Sequence, residues 1–161
     1  MSFLDVIFNR ASVRRYQKKP VPDEVLMNIL EAGRRAPSAM NAQPWHFIVV
    51  TDEKIKEVLS RRRWTGFLKD VAFIIVGCGE KDKKWSTVDV TIALQNMVLA
   101  AEAQGLGSCW IGDFDETEVK NLLGIPDNLR VVALVSFGYP AEKPKPRPKK
   151  PLEEIVHYNK F

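Results

Sequence analysis

The chain has 161 residues, 45% of them hydrophobic and 27% charged, with ten prolines, nine glycines and two cysteines. This composition fits one globular domain and excludes intrinsic disorder, a collagen-like repeat and a disulfide scaffold. The net charge is +4, but Lys143, Lys145, Arg147, Lys149 and Lys150 form an acid-free basic stretch that leaves the rest of the chain near neutral, which argues against a nucleic-acid-binding face spread over the fold.

Ser2 is placed to cap a first helix carrying Phe3, Leu4, Ile7 and Phe8. Asp5 interrupts the apolar stretch that a secretory signal would need, so the chain is expected in the cytoplasm. Residues 10–16 read as an extended basic segment. Asp23 opens a second helix with Val25, Leu26, Ile29 and Leu30 on one face, closed between Gly33 and Pro37. Residues 45–51 read as a strand and 52–59 as a helix with Ile55, Val58 and Leu59 inward. Residues 71–76 form the longest apolar run, too short to cross a bilayer and suited to a buried strand in mid-sheet. Residues 87–104 make the longest helix, with Val90, Leu94, Met97 and Ala101 inward and Gly105 in the left-handed closing position. A short strand follows at 108–111. Asp115 and Glu118 then start a helix that ends at Gly124, and 129–137 is the last long strand. Five of the ten prolines fall between Pro140 and Pro151, so the chain from 140 to 161 is expected to be an extended arm. Such an arm in a compact domain is expected to lie on something, and a second copy of the chain is the simplest candidate. No repeat or second domain interrupts residues 1–161.

Cys78, Cys109, His46 and His157 are too scattered for any zinc-type spacing, and both cysteines read as small buried hydrophobes. Gly77 and Gly79 give G-x-G, but Asp82 stands at the third position of a dinucleotide fingerprint, and Gly105 and Gly107 follow a helix. No Walker-type lysine motif is present, so a bound phosphate must be held by basic side chains. Arg10, Ser12 and Arg14 alternate, which puts all three on one side of an extended chain as an anion clamp or a solvated strand edge. Lys145 and Arg147 repeat the spacing in the tail. Between Pro37 and Trp45, Ser38, Asn41 and Gln43 offer hydrogen-bonding groups that could read a heteroaromatic edge, while small Ala39 lets a flat ligand approach.

These residues resemble the FMN-dependent nitroreductase family. The resemblance runs from Arg10–Arg14 through Ala36–Trp45 and Gly105–Gly112 to the Gly138–Pro140 turn and its basic tail. It implies an α+β fold with a mixed sheet sandwiched by helices, an extended C-terminal arm, and a homodimer with shared FMN sites. By position, Arg10, Ser12, Lys145 and Arg147 would hold the FMN phosphate and ribityl chain, and Arg14 would approach the pyrimidine end of the ring. Pro37, Ser38, Ala39 and Asn41 would come from the other subunit, and Gly112 and Asp113 would present backbone amides near flavin N5. NAD(P)H and a nitroaromatic or quinone would be the substrates, and no catalytic side chain is required because the cofactor carries the hydride. The sequence departs from larger family members between Lys54 and Trp85, where Arg63, Trp64 and Phe67 are candidate pocket residues. The run Arg61 to Arg63 reads as a solvated helix end or as an attraction for the extra phosphate of NADPH. Flavin fragmentation and reductive dehalogenation are alternatives within the flavin class, and a noncatalytic FMN- or nucleic-acid-binding protein is the alternative outside it.

Overall fold

The computed structural model describes residues 2–161. Its centre is a four-stranded sheet of β1 (Trp45–Val50), β2 (Phe73–Glu80), β3 (Gly107–Ile111) and β4 (Leu129–Gly138), in the order β1-β2-β4-β3. All three strand pairings are antiparallel, and the parallel component of the expected mixed sheet is a single bridge from Ser12 to Ser108. Around the sheet lie α1 (Phe3–Asn9), α2 (Asp23–Arg34), α3 (Glu53–Leu59), α4 (Ser86–Ala103) and α5 (Glu116–Leu123).

Alternation along β2 divides the core in two. Phe73 and Ile75 join Val90, Leu94 and Met97 of α4 and Ile29 of α2, whereas Ile74, Val76 and Cys78 join Leu59, Leu68 and Val119 on the other face. The sheet is thus covered on both sides, and β2 is buried nearly throughout as its apolar run demands.

β2 runs four residues beyond the expected end at Val76, through Gly77 and Gly79. The glycines have a packing role: a Cβ at Gly77 would stand 2.7 Å from Leu94 Cδ1 and 3.1 Å from Val90 Cγ1. Only a bare backbone lets α4 lie this close. Pairing with β1 and β4 on either side then holds glycine-rich chain extended, with one irregularity between Gly77 and Cys78.

Local signals fix the helix ends. Ser2 and Asp5 form a reciprocal capping box on α1, Asp52 and Asp115 cap α3 and α5, and Gly124 closes α5 at φ 67°. Lys56 departs from the expected α3 pattern: its stem is buried and its Nζ donates to the Val71 carbonyl at 2.9 Å. No helix among the described residues is long and apolar enough to cross a membrane.

Candidate functional site

The chain leaves α1 at Arg10 and runs extended along the edge of β3. The Val13 amide donates to the Ser108 carbonyl at 2.9 Å, and Val13 lies against Gly107, where a Cβ would meet Val13 Cγ2 at 2.5 Å. Ala11 and Val13 therefore point inward, and Arg10, Ser12 and Arg14 point the other way, as their alternation requires.

These three residues form one wall of a pocket of ≈ 640 Å³. Gln95 and Leu99 of α4 contribute to its lining, α1 adds Ile7 and Phe8, and the arm brings Lys145, Arg147 and Lys149. Both basic clusters noted in the sequence thus meet, although more than 130 residues separate Arg10 from Arg147. The lining holds five bases and no acid, and among the described residues none of the five is in an ion pair. A concave surface that combines guanidinium and ammonium groups outside any ion pair with apolar side chains suits a ligand that is part anion and part apolar. A second cleft of ≈ 620 Å³ between α5 and the start of β4 differs in kind, because Glu116 and Asp127 offset Lys81, Lys120 and Arg130 there.

The Pro37–Trp45 loop lies elsewhere on the same chain. Met40, Asn41 and Gln43 adopt left-handed φ values of 53°, 53° and 49° around a short 3-10 turn at Ala39–Asn41. A non-glycine residue in that region costs on the order of 1–3 kcal/mol, so surrounding contacts must impose the shape. They include the buried Asp89 carboxylate of α4, which accepts from the Ala39 amide at 3.2 Å, and the Ser38 hydroxyl, which accepts from the Gln43 amide at 3.0 Å. The Gln43 side chain donates to the Asn41 carbonyl at 3.1 Å. Ser38 and Gln43 therefore brace the loop internally, while the side chain of Asn41 is exposed. None of Pro37, Ser38, Ala39 and Asn41 lines the basic pocket of its own chain. Loop and pocket share α4 as a support, with Asp89 roughly 9 Å along the helix axis from Gln95.

Gly112 and Asp113 follow β3 and also lie outside the basic pocket. The Asp113 carboxylate accepts from Arg62 Nε at 2.8 Å and from the Trp64 amide at 3.3 Å, and the Arg62 guanidinium holds its carboxyl below the usual range. The turn is thereby fastened to the 60–65 connection. Each arginine of the Arg61–Arg63 run has a partner: Glu57 at 3.7 Å for Arg61, Asp113 for Arg62, and the Trp64 ring for Arg63, whose guanidinium stands 4.7 Å from the ring centroid. Trp64 is exposed, whereas half-buried Phe67 stacks on Tyr16 at 6.2 Å and packs against the core.

Neither cysteine is suited to be a nucleophile. Burial pushes the Cys78 thiol up to about 11 and raises that of Cys109 as well, although Arg14 and Arg10 act against the latter rise. Asp89 and Gln95 escape sequence reading because α4 is apolar over most of its circumference and no polar face stands out.

The family model described as "Nitroreductase family" matches residues 7–72 and 58–139. An iodotyrosine deiodinase from Thermotoga neapolitana is 35% identical, with 98% of this chain and 97% of that protein covered. Among solved structures, an FMN-dependent nitroreductase from Clostridium difficile superposes with a TM-score of 0.89 at 31% identity, covering 98% of this chain and 99% of that one. The NADPH:FMN oxidoreductase of Vibrio harveyi, solved in complex with NAD+, gives a TM-score of 0.93 at 27% identity, covering 99% of this chain and 77% of that one.

Proposed function

The chain belongs to the nitroreductase family of oxidoreductases, and from that premise we propose that it binds FMN and oxidises NAD(P)H at the expense of a nitroaromatic or quinone acceptor. The observation that carries the reading is the acid-free pocket in which Arg10, Arg14, Lys145, Arg147 and Lys149 converge beside apolar α1 and α4 side chains. Its ≈ 640 Å³ volume lies within the range of cofactor sites, and its charge distribution suits a phosphate joined to a flat ring system.

Arg10, Lys145 and Arg147 would hold the phosphate, and the Ser12 hydroxyl would hydrogen-bond the ribityl chain. Arg14 would set a cation beside the pyrimidine edge, where negative charge develops on reduction. The chemistry that FMN supplies when bound is hydride transfer at N5, from NAD(P)H to the acceptor in alternating half-reactions. Gly112 and Asp113 would offer backbone amides near that atom, with the Arg62–Asp113 pair keeping the turn in place. Pro37, Ser38, Ala39 and Asn41 would cover the ring from a partner subunit, their strained loop fixed by Asp89.

What the single chain leaves uncovered supports a homodimer. Phe3 and Phe8 of α1 are 70% and 67% exposed, and Leu152, Ile155, Tyr158 and Phe161 of the arm are exposed too. Apolar side chains concentrated on one helix and one arm mark an interaction surface, and the arm from 140 to 161 would wrap the second copy. If both substrates use the same face of the cofactor in turn, double-reciprocal plots of NAD(P)H oxidation at several acceptor concentrations will be parallel. Intersecting lines would require a ternary complex and contradict the alternating scheme. The deiodinase relative supports a second reading, reductive dehalogenation of an iodinated phenol. Iodide release from iodotyrosine by the dithionite-reduced protein, faster than reduction of a nitroaromatic, would select it.

A further inference from the structure

Glu102 is a charged group that the proposed chemistry leaves unused. It stands in the last turn of α4 with 9% of its surface exposed. Two effects oppose a carboxylate there: the helix C-terminus carries partial negative charge, and burial raises its pKa above the ordinary glutamate range. Two cations act in the opposite direction, Lys143 at 3.8 Å and Arg10. Lys143 belongs to the arm, two residues before Lys145, and Arg10 lines the basic pocket together with Lys145 and Arg147.

The arm's other attachments lie upstream. The Ala141 amide donates to the Arg15 carbonyl at 2.9 Å, Gln17 Nε2 donates to the Pro140 carbonyl at 2.9 Å, and Glu142 pairs with Arg15 at 3.0 Å. Beyond Lys143, no hydrogen bond or ion pair among the described residues ties 144–150 to the body of the protein. The Glu102–Lys143 pair is thus the last polar tether before the bases that reach the pocket.

We propose that Glu102 is a positioning residue that tethers the arm through Lys143, so that the placing of Lys145 and Arg147, and with it the phosphate affinity of the pocket, depends on the Glu102 charge. This rests on the reading that the pocket takes the FMN phosphate. The direction with pH follows by linkage. Docked Lys143 favours the ionised carboxylate, so the ionised carboxylate favours the docked arm, and the tether weakens as pH falls through the raised Glu102 range.

The test begins on FMN-free protein, where 15N relaxation of the Lys145, Arg147 and Lys149 amides reports arm order directly. Glu102→Gln should lower those order parameters, and Lys143→Met, a change at an exposed side chain, should lower them equally. FMN titrations should then show affinity about fivefold weaker for either variant near neutral pH, with no further loss in the double variant. The ratio between wild type and Glu102→Gln should shrink toward one on acidification. The FMN phosphate also gains a proton on acidification, but it does so for both proteins and cancels in the ratio. Unchanged amide relaxation in both variants, additive losses in the double variant, or a pH-independent ratio would overturn the tether. If Glu102→Gln does not fold, Lys143→Met alone decides by the same readouts. Wild-type protein that takes up no FMN would sink the pocket reading instead, while the relaxation data would still judge the tether.

Discussion

Arg147→Ala is expected to raise the FMN dissociation constant by about tenfold to a hundredfold, corresponding to the roughly 1.5–3 kcal/mol of a charge-assisted contact, while Lys150→Ala leaves it nearly unchanged. The two residues are neighbours in the same exposed, proline-rich arm, so general loosening of that segment would affect both alike. They differ in place: Arg147 lines the basic pocket beside Arg10 and Ser12, and Lys150 does not. A solvated charge outside the pocket contributes only through long-range attraction, which salt screens. Fluorescence titration of FMN at fixed ionic strength reads the contrast. Equal dissociation constants for the two variants would refute the assignment of Arg147 to the phosphate.

The second large effect concerns how the site is divided between subunits. On the proposed reading, the Arg10–Arg14 wall, whose pocket the strained Pro37–Asn41 loop of the same chain does not line, is completed by a second copy that the exposed apolar residues of α1 and the arm would meet. One variant carrying Arg10→Ala and Arg14→Ala, and another carrying Ala39→Trp, should each give a homodimer with two damaged sites. Unfolded and refolded together, half of the dimers pair one chain of each kind. In these, one site collects both defects and the other receives an intact clamp with an intact loop. Activity should therefore rise from near zero to about a quarter of wild type, by the two-fold symmetry of the dimer. Heterodimers no more active than their parents would mean that each chain builds its own site.

What the sequence reveals and what it hides have physical reasons. Residues 10–14 were legible because a period of two, with Ala11 and Val13 between polar neighbours, already states which side chains face out. The caps at Ser2 and Asp115 were legible because capping is local chemistry. The extension of β2 through Gly77 and Gly79 was hidden because glycine has no intrinsic preference for a strand, and the pairing that imposes it comes from β1 and β4. Burial of Lys56 was hidden because its partner is the carbonyl of Val71, fifteen residues away. Asp89 and Glu102 were hidden for the same reason: the Ala39 amide and the Lys143 ammonium that justify their charges are distant along the chain. The site's charge was thus readable, whereas the groups that hold its parts in position were not.

The claim on which the rest depends is that the basic pocket is a cofactor site, and the flavin content of the purified protein tests it most directly. The protein should be yellow, or become so with added FMN, and should retain about one FMN per chain after gel filtration, as one pocket per subunit requires. A colourless protein that takes up no added FMN would contradict it.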